Sequence, residues 1–139
     1  KWIYRRIFNF NSLINYYSVP VVVQEFLEDV KLGDKRVILL EGSPVGVINR
    51  IPTKGEFKAN LHLGGQAKRT SLTKKEKKIC DVLKPILKKE GLFFVGIDLI
   101  SEKLTEINVT SPTGIVQIKD IAEINIANML LEKLIKKIS

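Results

Sequence analysis

The chain has 139 residues, 45% hydrophobic and 7% aromatic, with 23 basic against 15 acidic side chains and a formal net charge of +8. That is one domain's worth of polypeptide, with enough apolar content for a core. No apolar run is long enough to span a bilayer, no segment resembles a signal peptide, and the lone Cys80 rules out an internal disulfide, so a reducing, cytoplasmic setting is expected.

Residues 1–10 are basic and aromatic without clear periodicity, and residues 10–18 read as a short helix. A strand is expected over 20–27 (Pro-Val-Val-Val-Gln-Glu-Phe-Leu), followed by a charged connection over 28–35. Residues 36–41 and 45–51 form two strands joined by the turn Gly42-Ser43-Pro44. Residues 52–70 are a long polar stretch with glycines at 55, 64 and 65, of the length that compact domains reserve for lids or leave disordered. A helix begins at Thr73 with a capping box to Glu76, and places Ile79, Val82, Leu83, Ile86 and Leu87 on its core face. Pro85 should kink or break it, and Gly91 ends it. Between Thr73 and Glu90 stand seven lysines and three acids, half of the chain's excess charge, read most simply as the helix's solvated face. Aromatics interleaved with them, the pattern for stacking on bases, are absent, so neither nucleic acid nor a membrane is the expected partner.

Residues 92–100 and 104–109 read as a hairpin, with Phe93, Val95, Ile97 and Leu99 on its core face. Asp98 interrupts the apolar pattern of the first strand. Glu106 and Asn108, two apart on the second, share a face. A three-residue turn over 101–103 would pair Ile100 with Leu104 and set Asp98 opposite Glu106. Three hard oxygen donors then meet on one patch, as a Mg²⁺ site shared with phosphates requires. Spacing alone leaves open the ordinary alternative, two acids and an amide on the wet face of a hairpin. The polar turn Thr110-Ser111-Pro112-Thr113-Gly114 follows at once and suits an anion. A last helix is expected over 121–138, burying Ile126, Met129, Leu130, Leu134 and Ile138. The order of elements predicts an α+β fold, an antiparallel sheet backed by helices on one face.

Isolated residues carry less. His62, the only histidine, lies in the long loop without partners at ligand spacing, and Cys80 reads as a semi-buried structural thiol. No nucleophile, base and orienter set is legible, so any chemistry should be electrostatic. Arg36 and Arg50, at strand ends beside the glycine-rich loop, are placed to clamp planar anions.

The motifs Gly33-Asp34-Lys35-Arg36-Val37, Arg50-Ile51-Pro52, Asn60-Leu61, Gly64-Gly65, Phe94-Val95-Gly96-Ile97-Asp98 and Leu104-Thr105-Glu106-Ile107-Asn108-Val109-Thr110-Ser111-Pro112 occur in order. In that order and spacing the chain, from about Val22 onward, resembles the bacterial glutathione synthetases of the ATP-grasp superfamily. The resemblance implies ATP-dependent joining of γ-glutamylcysteine and glycine through an acyl phosphate. It implies Mg²⁺ or Mn²⁺ at Asp98, Glu106 and Asn108, and adenine along Gln24, Glu25, Phe26 and Leu27, with Asp34 also at the nucleotide. Arg36 and Arg50 match catalytic and substrate-binding positions near the transferred phosphoryl group, with Asn108 and Ser111 at the substrate. Lys58 stands where the family's lid often carries arginine, and Gln66 replaces another basic lid residue.

The resemblance further implies that residues 20–139 are the C-terminal ATP-grasp sub-domain. Residues 1–19 are then an extension of foreign or disrupted sequence. The substrate domain and the glycine-rich phosphate loop lie outside this chain, which alone should be inactive. The full-length enzyme would be a homo-oligomer. The alternatives are a related ATP-grasp ligase joining another acid and amine, and, more remotely, a basic nucleic-acid-binding module.

Overall fold

The computed structural model describes residues 24–53 and 65–138, together with residues 12, 14–16, 18 and 19. Most of the expected segment over 1–19, the start of the strand over 20–27, and residues 54–64 with Lys58 and His62 lie outside the described residues.

Five antiparallel strands form one sheet in the order β3-β2-β1-β4-β5: β1 Asp34–Leu40, β2 Ser43–Ile51, β3 Gln66–Arg69, β4 Phe94–Ile100 and β5 Lys103–Asn108. The α+β class is therefore as expected. Among the described residues three α-helices pack on it: α1 Lys74–Lys89, α2 Ile115–Ala122 and α3 Ile126–Ile138. They cover both faces rather than one. Alternation along β1 sends Val37 and Leu39 to one side, where they meet Cys80, Leu83 and Leu87 of α1 together with Val95, Ile97 and Leu99 of β4. Ile38 points to the other side and packs with Ile48, Ile118 of α2 and Ile126 of α3. Complete burial of each such side chain contributes about 1.5–3 kcal/mol.

Both hairpins close through two-residue turns, Glu41-Gly42 and Ser101-Glu102, with positive φ at both positions. The first turn is thus shorter than Gly42-Ser43-Pro44, and Pro44 sits inside β2. It is tolerated because β3 pairs only with 48–51, leaving Pro44 on an edge where no amide donor is needed. The second turn is one residue shorter than expected. A bulge after Asp98 leaves Thr105 unpaired and restores the expected alignment of Asp98 with Glu106, while Leu99 rather than Ile100 meets Leu104. β3 falls within the stretch read as a loop, because Gln-Ala-Lys-Arg carries no apolar alternation to reveal it.

The capping box of α1 forms as the sequence predicts, with the Glu76 amide donating to Thr73 Oγ1 and the Thr73 amide to Glu76 Oε2. The helix runs through Pro85, which sits on its exposed side, without ending there. Its core stripe is Ile79, Cys80, Leu83 and Leu87, while Val82 and Ile86 are exposed. At the C-terminal end, two helices replace one. Glu123 turns left-handed at φ 61°, and Asn125 Oδ1 accepts from the Asn128 amide at 3.2 Å to start α3. Of the stripe expected on α3 only Ile126 is fully buried, and Leu134 and Ile138 are exposed.

Residues 24–27 belong to no strand. The Gln24 side-chain amide donates to the carbonyl of Thr105 at 3.0 Å, so this segment is tethered to β5 by a side chain instead of a ladder. Burial pushes the Cys80 thiol up to about 11. Iodoacetamide at pH 8 should therefore alkylate the native chain at least ~100-fold more slowly than the urea-unfolded chain, as followed by mass spectrometry.

Candidate functional site

Strand alternation places Asp34 and Arg36 of β1 on the sheet face opposite α1. Register then sets Arg50 of β2 beside Asp34 and Asp98 of β4 beside Arg36. On β5, Glu106 lies across from Asp98, and Asn108 across from Gly96. Farther along the same face, Ile38 and Ile48 are roofed by α2 and α3. The charged end and the apolar core therefore share one surface, with the helices covering only the apolar part.

Arg36 grips Asp98 through two bonds, Nε to Oδ1 at 2.6 Å and Nη2 to Oδ2 at 2.9 Å. Arg50 bridges both aspartates, Nε to Asp34 Oδ1 at 2.5 Å and Nη2 to Asp98 Oδ2 at 2.9 Å. Arg36 and Asp98 are each 5% exposed. Two guanidinium groups and two carboxylates make a neutral cluster, which is how charges survive burial. Burial pushes the Asp34 carboxyl above its ordinary value, against the pull of Arg50. For Arg50, burial opposes the charge, but the bond to Asp34 and the charge of Asp98 outweigh it and the guanidinium is held above its ordinary value.

The turn after β5 is built onto this cluster. Arg36 Nη1 donates to the Thr113 carbonyl at 3.3 Å, and the Ser111 amide donates to Asn108 Oδ1 at 3.2 Å. Gly96 lets the turn approach, since a Cβ there would come within 2.8 Å of Pro112 Cβ. Gly114 adopts φ 111°, a conformation that favours glycine, and starts α2 against the stem of Arg36. Thr105, the bulged residue, donates its hydroxyl to the Asp98 carbonyl at 3.1 Å. Through its own carbonyl it also holds Gln24. One residue thus ties the 24–27 segment to the strand that carries Asp98.

The sequence-derived residues therefore fall into two groups. Asp34, Arg36, Arg50 and Asp98 form one bonded cluster, with Glu106, Asn108 and Ser111 on the adjoining strand and turn. Gln24, Glu25, Phe26 and Leu27 stand apart from the cluster, with Gln24 bonded to Thr105 and Glu25 3.8 Å from Lys103 of β5. The donor set beside Asp98 fits a hard divalent cation. Asp98 Oδ1 accepts one bond and keeps a free lone pair, Glu106 is exposed and unpaired among the described residues, and Asn108 Oδ1 accepts only from Ser111. No group of three or more His, Cys, Asp or Glu placed to hold a metal ion occurs among the described residues, so a cation here would complete its shell with water or phosphate oxygens. Sequence reasoning missed the Thr113 carbonyl and the bridging role of Thr105. Gly96 and Gly114 were the available signals for the close turn.

A sheet face that sets hard oxygen donors beside buried arginines, with a glycine-dependent turn folded against them, is chemically suited to an anion shared with a cation. The model of the family described as "Prokaryotic glutathione synthetase, ATP-grasp domain" matches residues 6–123, and the chain belongs to that family. It is 52% identical over 119 residues to a glutathione synthetase of Prochlorococcus marinus subsp. pastoris, covering 86% of this chain and 39% of that protein. It is 54% identical over 114 residues to one of Synechocystis sp., covering 79% and 36%, and 43% identical over 133 residues to one of Agrobacterium fabrum, covering 93% and 42%. The chain thus spans about two-fifths of the length of these relatives. No helix among the described residues is long and apolar enough to cross a membrane.

Truncating Arg36 removes two of the three guanidinium bonds to buried Asp98 and leaves it to Arg50 alone, so Arg36→Ala should destabilise the chain by about 3 kcal/mol, the low end for a broken buried pair. Lys75→Ala, which breaks the exposed pair with Glu102, should leave the midpoint of unfolding almost unchanged. Urea denaturation followed by circular dichroism measures both.

Proposed function

We propose that this chain supplies the cation site and part of the nucleotide and substrate sites of a cytoplasmic ligase that joins γ-glutamylcysteine to glycine at the expense of ATP. The observation that carries the reading is the pairing of Asp98 with Glu106 across β4 and β5 in a chain of this family. Asp98, Glu106 and Asn108 would hold Mg²⁺ or Mn²⁺. Bound there, the cation supplies charge neutralisation for the phosphates of ATP.

The chain's own residues then have distinct tasks. Gln24 to Leu27, anchored to β5 through Thr105, flank the adenine, and Asp34 lies toward the nucleotide. The peptide's terminal carboxylate takes the γ-phosphoryl group and ADP leaves. The amine of glycine then attacks the acyl carbon, expelling phosphate and losing a proton. Arg50, the less buried of the two arginines, is suited to meet the developing charge on the transferred group. Arg36 has three donors committed to Asp98 and Thr113. Its contribution to the catalytic face is to fix Asp98 and the turn in which Ser111 and Asn108 seat the substrate.

The chain alone should form no glutathione, because it spans only about two-fifths of the length of the glutathione synthetases it matches. Fused behind the N-terminal part of the Prochlorococcus marinus relative, it should restore Mg²⁺- and ATP-dependent synthesis from γ-glutamylcysteine and glycine. Glu106→Ala in that fusion should lower the rate by about 10²-fold or more. Robust synthesis by the chain alone, or an active fusion indifferent to Glu106→Ala, would contradict the reading. A fusion that strongly prefers another acid or amine would instead favour a related ligase.

A further inference from the structure

Arg50 sits where a cation-binding face would least tolerate it. Its Nη2 lies 2.9 Å from Oδ2 of Asp98, a carboxylate that Arg36 already grips through both oxygens. A divalent ion approaching Asp98 therefore meets two guanidinium charges around a single carboxylate. Asp34 changes that balance. It holds Arg50 from the far side at 2.5 Å, it neighbours Arg50 directly in the β1–β2 register, and it is two residues from Arg36 on the same face. Asp34 and Arg50 are only 15% and 12% exposed at their side chains, so water screens their charges poorly. Among the described residues, Arg50 pairs with no acid other than Asp34 and Asp98.

We propose that Asp34 is a positioning residue that sets the cation affinity of the Asp98–Glu106–Asn108 face, by anchoring Arg50 and offsetting its charge beside Asp98. The inference rests on the cation site proposed above and adds a role for Asp34 distinct from touching the nucleotide. With Asp34 in place the cluster is neutral and Asp98 keeps a lone pair available. Without that charge, Arg50 is left to Asp98 alone, and the cluster carries a net positive charge where a cation must bind.

The two residues that hold one another should therefore have opposite effects. Mn²⁺ binding to the 139-residue chain, without nucleotide, can be read by the loss of the free-ion electron paramagnetic resonance signal. Asp34→Asn should weaken Mn²⁺ binding about tenfold, and Arg50→Gln should tighten it several-fold, because one removes a compensating negative charge and the other the positive charge it compensates. The double variant should return to within about threefold of the unsubstituted chain, and Asp34→Glu, which keeps the charge, should stay within about threefold as well. A purely structural role predicts weaker binding in both single variants, and a purely nucleotide-contacting role predicts no change for Asp34→Asn. Either result overturns the proposal. If Asp34→Asn does not fold, the sign of the Arg50→Gln effect still decides: tightening supports the proposal and weakening overturns it. Glu106→Ala separates the two layers of the argument. Mn²⁺ binding that is absent from the unsubstituted chain, or unaffected by Glu106→Ala, removes the cation site and this inference with it. Binding lost in Glu106→Ala but unchanged in Asp34→Asn removes this inference alone.

Discussion

Asp98 lies in the middle of a sheet, almost wholly buried, and its charge is tolerable because Arg36 meets it with two parallel bonds and Arg50 with a third. That pair joins β1 to β4, strands far apart in sequence and adjacent in space. From it follow the fixed direction of the Asp98 carboxylate, the place of Arg50, and the path of the chain after β5. Arg36 also reaches the Thr113 carbonyl, so the turn leading into α2 is pinned to the same guanidinium. Two glycines make the fit possible, Gly96 beneath Pro112 and Gly114 against the Arg36 stem.

The rest of the molecule can be understood as support for this arrangement. One core, between the sheet and α1, holds β1 and β4 flat against a helix whose start is closed by the Thr73–Glu76 capping box. Lys35 strengthens that side by reaching Glu76 at 2.8 Å from the strand that carries Arg36. The second core, under α2 and α3, ends where the charged cluster begins. Gly46 permits that close cover, since a Cβ there would come within 2.7 Å of Ile126 and 2.8 Å of Ile118. Apolar packing thus fixes strand positions to the tolerance that short, directional bonds among four ions demand.

How much of this could be read from sequence depended on the range of the interaction. The alignment of Asp98 with Glu106 was legible because a period-two pattern and a short turn are local. It was nonetheless reached through a turn one residue too long, and the bulge at Thr105 compensated for the shorter one. That bulge had no glycine to announce it. The capping box was legible for the same local reason, and Asn125 was a cap signal that could have divided the last helix. Arg36 and Arg50 were singled out as exceptions to the charge runs, but their partners depend on pairings across strands. No spacing rule reveals that β1 neighbours β4. β3 was silent because four mostly polar residues on a sheet edge need no apolar pattern. Pro85 and the exposed Val82, Ile86, Leu134 and Ile138 misled for the converse reason: helix position was decided by the sheet below, not by local propensity or periodicity.

The proposed cation site requires that the Arg36–Asp98 pair hold a carboxylate ready for a cation shared with Glu106 and Asn108. The most direct measurement is an anomalous difference map from crystals of the chain equilibrated with Mn²⁺ and ADP. A peak is expected within coordinating distance of Asp98 Oδ1, the Glu106 carboxylate and Asn108 Oδ1, with both Arg36–Asp98 bonds retained. A peak elsewhere on the chain, or occupancy only after Arg36 has let go of Asp98, would contradict it.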